Sequence, residues 1–236
     1  MFPLSDFFKF VESFSYPELF EKKLKGFDDL ENIWDVLRRI QKGFVAQAVK
    51  PQILGEIEPG AVLKGADIFI GKNSKIQTGA MIIGPAIIGS NVEVRHGAYI
   101  RGHVILGDGS VVGHASEVIR SVFLPGAKAP HFNYVGDSIL GGKVNLGAGT
   151  KLSNLKNDVS EVVIKYGKEE VETHLKKFGA ILGDECMLGC NSVTNPGTMM
   201  GRKCRVYPNC TVGGVYPKNS IAKLRQTIEI GKIAED

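Results

Sequence analysis

Residues 70–106 read IGKNSKIQTGAMIIGPAIIGSNVEVRHGAYIRGHVIL, and an aliphatic side chain returns at every sixth place: Ile70, Ile76, Ile82, Ile88, Val94, Ile100 and Leu106. The beat runs on through Val112, Val118 and Leu124. Four places after each stands a small or β-branched residue: Ser74, Ala80, Ala86, Val92, Ala98, Val104, Ser110, Ser116 and Val122, with Lys128 the first misfit. A helix needs a period near 3.6 and a plain strand a period of 2, so six describes neither. It describes a coil with three flat faces, each burying one aliphatic and one small residue, with glycine at the tight corners. Three hexads make one turn, and turns stack at the inter-strand spacing of about 4.8 Å. The predicted fold is an all-β solenoid, and its corners account for 29 glycines in 236 residues.

The phase returns at Leu140, Leu146 and Leu152, and again at Leu182, Leu188, Thr194, Met200, Val206 and Val212. In that last block Cys186, Cys204 and Cys210 fall on small slots, so they are expected to be buried, reduced thiols and not a disulfide or zinc framework. The organisation that follows is an N-terminal segment over residues 1–50, a solenoid over 51–214 and a tail over 215–236. Residues 1–50 carry aromatic and aliphatic residues at helical spacing, with Ser5 and Asp28 as candidate N-caps. Residues 153–181 leave the repeat as a long excursion of mixed charge, read as a solvated, partly helical loop. Long loops in compact domains are usually functional or disordered, which marks this one as a substrate-lid candidate.

Composition narrows the function. With 29 basic against 25 acidic residues and a net charge of +4, no basic stripe argues for nucleic acid. No apolar run approaches the length of a membrane span, and the N-terminus lacks the marks of a signal peptide, so a cytoplasmic protein is expected. His96 and His114 stand 18 residues apart and should stack as an outer-face ladder or serve as a subunit contact; no H-x-x-x-x-H pair of the γ-class carbonic anhydrase kind occurs, and no metal site is expected.

Where the beat fails, residues 128–154 carry Lys128, Ala129, His131, Tyr134, Gly136 and Asp137, then Asn145, Gly147, Ala148, Gly149 and Thr150, then Asn154. The hexads resemble the left-handed parallel β-helix family, in which acyltransferases and trimers are common. The ordered motif is similar to the acetyltransferase domain of the bifunctional N-acetylglucosamine-1-phosphate uridylyltransferase/glucosamine-1-phosphate acetyltransferase. The left hand comes from that resemblance alone, because crossover sterics favour the opposite one.

The resemblance, covering roughly residues 60–225, implies roles residue by residue. His131 takes the place of the general base, and imidazole is the side chain suited to accept a proton near neutrality. Asn154 matches an asparagine near the acetyl group, and the Ala148 backbone N–H matches a donor to the thioester carbonyl. Cys190 and Lys223 fall beside the cofactor, while Arg95, Tyr134, Asn145 and Lys177 match sugar-phosphate contacts. Acetyl-CoA as co-substrate and a homotrimer with sites between subunits follow from the same likeness. One family lysine is replaced by Ile119, beside Arg120, and a tyrosine by Leu155. No Gly-rich nucleotide-binding start is present, so pyrophosphorylase activity is not expected. The resemblance thus points to an acyl-CoA-dependent transferase acting on an amino or hydroxyl group of a sugar phosphate or nucleotide sugar. A non-catalytic scaffold or pseudo-enzyme binding a partner protein is the alternative. The slip in the repeat suggests a bulge that turns His131 and Tyr134 toward a neighbouring subunit.

Overall fold

A computed structural model describes residues 3–231. From Gln52 to Ala222 the chain winds as a parallel β-helix, and each strand pairs with the strand one full turn on. The first face stacks strands from Gln52–Ile53 to Val215–Tyr216, the second from Glu56–Ile57 to Ile221–Ala222, and the third from Val62–Lys64 to Thr211–Val212. Solenoid pairing continues past the expected boundary at residue 214 through two further strands, Val215–Tyr216 and Ile221–Ala222.

Registers such as Ile70 with Ile88 and Ile76 with Val94 put the hexad aliphatics directly above one another. These side chains are fully buried. The small slots are filled as expected, with Ala80, Ala98, Cys186, Cys204 and Cys210 all inside.

The slip lies elsewhere than the sequence suggests. Leu106 pairs with Phe123 and Phe123 with Leu140, so two successive coils have 17 residues. The missing residue is lost between Val118 and Phe123, and again between Val135 and Leu140, at the corner joining the third face to the first. Phe123 takes the interior seat expected for Leu124, and Ala127 takes the slot expected for Lys128, which points outward. Val122 and Leu124 turn instead into a second core. Two serine hydroxyls close the shortened corners: Ser121 Oγ donates to Ile119 O at 2.8 Å and Ser138 Oγ to Gly136 O at 2.7 Å. Each hydroxyl then accepts an N–H from the next coil, Ser138 N at 3.1 Å and Ala180 N at 3.0 Å. The coil carrying His131 is in register, with His114 beside His131, so the expected bulge is absent.

That second core covers the first face. Its outward residues Ile87, Ile105, Val122, Ile139, Ile181 and Met199 are buried under Phe7, Phe14, Phe20, Trp34, Leu37 and Phe44 of the N-terminal segment. The segment lies along one side of the prism and leaves the other two faces open. Its helices are short, at Leu4–Phe7, Asp35–Gln41 and Phe44–Ala48. Neither Ser5 nor Asp28 caps them; the first two begin after Pro3 and Trp34, without a side-chain cap. The irregular stretch between is tied by Arg39, whose buried guanidinium donates to the carbonyls of Leu19, Glu21, Lys22 and Asp28 at 2.8–3.2 Å.

The excursion after Asn154 is not helical. Val163–Tyr166 pairs antiparallel with Glu169–Glu172 around Gly167, whose φ of +63° suits the turn. Val162, Ile164, Leu175 and Phe178 bury their side chains in the second core, so the root of the excursion is part of the fold.

Candidate functional site

The corner between the second and third faces stacks His96, His114, His131, Ala148 and Cys190 in one column. Each step is marked by an amide donating to the coil before: Ala115 N to His96 O, Phe132 N to His114 O, Gly149 N to His131 O and Asn191 N to Ala148 O. The His96 and His114 rings stack at 5.6 Å with 8° between planes. Their Nδ1 atoms face the carbonyls of Thr78 at 2.6 Å and His96 at 2.9 Å. A carbonyl only accepts, so each Nδ1 carries the proton and each Nε2 points its lone pair outward.

His131 continues the column with an exposed imidazole that makes no hydrogen bond among the described residues. Its corner is held from below by Asn133, which sits in the small slot. Asn133 Oδ1 accepts from His131 N at 3.0 Å, and its Nδ2 donates to Gly147 O at 2.8 Å. Phe132 adopts φ +51° where earlier coils carry Gly79 and Gly97. A non-glycine residue there costs of order 1 kcal/mol, repaid in part by its ring edge on His114 at 5.2 Å.

Beyond His131 the corner opens. The backbone N–H groups of Ala148 and Cys190 make no hydrogen bond among the described residues. Immediately before the corner stand Gly113, Pro130, Gly147 and Gly189, a strip along the helix axis with almost no side chains. Gly147 is packed tightly, since a Cβ there would lie 2.5 Å from Cys190 N. Asn145 flanks the strip on the second face beside Lys128. At its far end Lys223 Nζ lies 5.1 Å above the Tyr207 ring. At its near end Arg95 pairs with Glu93 at 2.8 Å.

The remaining predicted residues lie at the opposite corner, between the third face and the first. Tyr134 runs along the third face, its hydroxyl donating to Asn154 Oδ1 at 3.3 Å. Asn154 Nδ2 donates to Asp137 Oδ2 at 2.6 Å. Asp137, with 0% exposure, also accepts Arg120 Nε and Nη2 at 2.6 and 2.8 Å and Gln41 Nε2 at 2.9 Å. The pairing with Asp137 pushes the Arg120 guanidinium above its usual range, whereas burial, then the nearby Glu117 and Asp137 carboxylates, push the Tyr134 phenol up. Gln41 Nε2 also reaches Lys177 O at 2.9 Å. Lys177 itself is exposed and bridges to Leu155 through the backbone. A cavity of about 550 Å³ opens next to this corner, lined by Ser153, Leu155, Lys156, Asn157, Lys165 and Asn195 among others.

The predicted residues thus divide into two groups. Arg95, His131, Asn145, Ala148, Cys190 and Lys223 belong to the histidine column and its glycine strip, and Tyr134, Asn154 and Lys177 to the far corner. Ala148 and Asn154 are one hexad apart, which at about 3.3 Å per extended residue separates them by more than roughly 10 Å. One carbonyl oxygen cannot bond to both within a single chain, so a shared oxyanion would need the two residues from different copies of the chain. Gln41, Asp137, Arg120 and Asn133 were not predicted as functional residues. The glycine–aspartate pair at 136–137 and Arg120 beside Ile119 were visible signals; Gln41 offered none. Among the described residues no helix is long and apolar enough to cross a membrane.

Comparison with known proteins agrees with this architecture. The family described as bacterial transferase hexapeptide (six repeats) matches residues 67–102. A bifunctional sugar-1-phosphate nucleotidylyltransferase/acetyltransferase of Sulfurisphaera tokodaii is 33% identical over 184 residues, covering 78% of this chain and 45% of that protein. The bifunctional protein GlmU of Methanococcus aeolicus is 32% identical over 209 residues, covering 88% of this chain and 50% of its own length. The chain spans about half the length of these curated relatives. Among solved structures, the UDP-N-acetylglucosamine acyltransferase of Francisella novicida superposes with a TM-score of 0.50 at 15% identity, covering 67% of this chain and 59% of that one. At that identity the likeness concerns the fold.

Proposed function

We propose that the chain is a hexapeptide-repeat acyltransferase that moves an acyl group from acyl-CoA, with acetyl-CoA the expected donor, to an amino or hydroxyl group of a sugar phosphate or nucleotide sugar. The observation that carries this reading is the column His131, Ala148, Cys190 beside the side-chain-poor strip of Gly147 and Gly189. From the His131 coil to the Lys223 coil is four steps of about 4.8 Å, roughly 19 Å, the scale of an extended phosphopantetheine arm. The arm would lie along the glycine strip, its phosphates toward Lys223 and its thioester beside His131. The unpaired Ala148 N–H, with that of Cys190 next to it, is available to the thioester carbonyl.

In the transfer, the acceptor nitrogen or oxygen attacks the carbonyl carbon while the outward imidazole of His131 takes its proton. The tetrahedral intermediate collapses by expelling the CoA thiolate, which recovers the proton from the imidazolium. No covalent enzyme intermediate is formed, and the step balances without a metal. Tyr134, Asn154 and Lys177 lie a face away from His131, so the acceptor subsite is supplied by another copy of the chain in a homotrimer. The covering of the first face by the N-terminal segment supports this, because it leaves the two open faces to meet. The cavity beside Asn154 has room for the rest of the acceptor.

The test is release of free thiol from acetyl-CoA in the presence of amino-sugar phosphates and nucleotide amino sugars, for wild type and His131→Ala. Thiol release that does not depend on His131 would sink the mechanism. One observation favours a scaffold instead: Ile119 and Leu155 stand where the family carries a lysine and a tyrosine, and Ile119 is largely buried. Acetyl-CoA binding separates the two, since saturation at a hundredfold excess over Kd stabilises by about 2.7 kcal/mol. An unchanged melting temperature would favour the scaffold.

A further inference from the structure

The corner that holds Asp137 needs no charge for its shape. The same place is Gly84, Gly102 and Gly214 in coils away from Arg120 and Asn154, and the third-face strands that lead into those glycines still pair. Yet here a carboxylate with no exposure is buried against a guanidinium, an arrangement that costs several kcal/mol in desolvation unless every hydrogen bond is made. Every one is made. Asp137 Oδ1 accepts from Arg120 Nε and Gln41 Nε2, and Oδ2 from Arg120 Nη2 and Asn154 Nδ2. Four acceptor positions meet four donors, so nothing is left to touch a substrate.

The consequence falls on Asn154. A carboxylate offers only acceptors, so the Asn154 atom 2.6 Å from it is the amide nitrogen, and Oδ1 faces Tyr134. Tyr134 must then be the donor of its 3.3 Å contact. The amide keeps one N–H, and the phenol oxygen keeps its lone pairs. Both atoms sit over Gly136, where a Cβ would come within 2.6 Å of Asn154 Nδ2 and 2.7 Å of the Tyr134 oxygen, so the pair rests on a backbone floor, with Tyr134 half-buried beside the more deeply placed Asn154.

Resting on the acyl-transfer reading above, we infer that Asp137, clamped by Arg120 and by Gln41 of the N-terminal segment, is a positioning residue. It fixes the polarity of the acceptor subsite so that Asn154 and Tyr134 together take one sugar hydroxyl. That hydroxyl accepts from Asn154 Nδ2 and donates to the Tyr134 oxygen. An ammonium group, which has no lone pair, is refused there, so the subsite orients the acceptor by a ring hydroxyl and leaves its nucleophile for His131 of another copy. The raised pKa of Tyr134, due first to burial, keeps the phenol protonated at neutral pH and the polarity fixed. The clamp also reaches the excursion, because Gln41 Nε2 holds the carbonyl of Lys177.

The test is calorimetric binding of glucosamine 1-phosphate and its monodeoxy analogues to the full chain without CoA, alongside thiol-release kinetics. Wild type should lose about tenfold in affinity when one particular hydroxyl is removed. Tyr134→Phe and Asn154→Ala should abolish that difference. Asp137→Asn should abolish it too, and Gln41→Ala, which spares the buried ion pair and removes one of the four hydrogen bonds to Asp137, should shrink it. In all four, Kd for acetyl-CoA should stay within about threefold. If wild type shows no hydroxyl dependence, or if folded Asp137→Asn and Gln41→Ala keep the full difference, the inference is overturned. Hydroxyl-dependent binding that needs Asp137, without any thiol release, would uphold the inference and overturn the acyl-transfer reading alone.

Discussion

Gly136→Ala is the smallest change that tests the geometry of the far corner. The added Cβ would stand 2.6 Å from Asn154 Nδ2 and 2.7 Å from the Tyr134 hydroxyl, both inside van der Waals contact. Gly136 is not among the positive-φ glycines, so the backbone accepts alanine and the effect is one of space. Relief requires the two polar atoms to move by roughly 0.7 Å or more. Overfilling a packed site costs about 1–3 kcal/mol, and lengthening the Asn154 bond to a carboxylate costs up to a further 1.5–3 kcal/mol. The expected loss is about 2–4 kcal/mol, which in a chain of this size lowers Tm by roughly 4–16 °C. Scanning calorimetry of wild type, Gly136→Ala, Tyr134→Phe and the double variant completes a cycle. Removing the hydroxyl removes one of the two clashes, so Tyr134→Phe should cost less in the alanine background than alone, by at least about 0.5 kcal/mol. A Gly136→Ala protein that melts within 1 °C of wild type, with additive behaviour in the double variant, would refute the placement of Tyr134 and Asn154 over Gly136.

His131→Ala should fold and still bind CoA because the imidazole is exposed and unpaired, while kcat falls about 10²–10⁴-fold and the low-pH limb of the rate profile disappears in steady-state assays. Ala127→Phe should destabilise by about 1–3 kcal/mol and Lys128→Ala by less than about 0.5 kcal/mol in thermal melts, and the reverse order would return the coil to the unshifted hexad phase. Cys190 is the one exposed cysteine, so a thiol-labelling time course in native conditions should modify it first and acetyl-CoA should slow that labelling; fast labelling of Cys186 would contradict its burial. Trimming the hairpin tip from Lys165 to Glu170 should leave Tm nearly unchanged, whereas deleting 155–176 strips Val162, Ile164 and Leu175 from the second core and should lower Tm sharply, so the excursion cannot be removed as a detachable lid.

The hexads were legible because a solenoid repeats its environment every turn: Ile76, Val94 and Val112 each meet the same interior, so local sequence states a global fold. The same logic made the corner column readable, since His131, Ala148 and Cys190 follow from counting coils once the motif is in phase. Counting failed at Val122, Phe123 and Leu124, where three apolar residues in a row satisfy either phase. Only the serine closures at Ser121 and Ser138, which draw two corners tight by one residue, decide that Phe123 points in. The doubled aliphatics at Ile87–Ile88, Ile105–Leu106 and Ile181–Leu182 announced a face buried on both sides, but not what buries it. That needed the N-terminal segment to find the face in three dimensions. The far corner lay furthest from the sequence: Gln41 meets Asp137 across 96 residues with no period linking them. A repeat carries information only between neighbouring coils, whereas a buried charge is satisfied by whichever distant donors the tertiary fold brings to it.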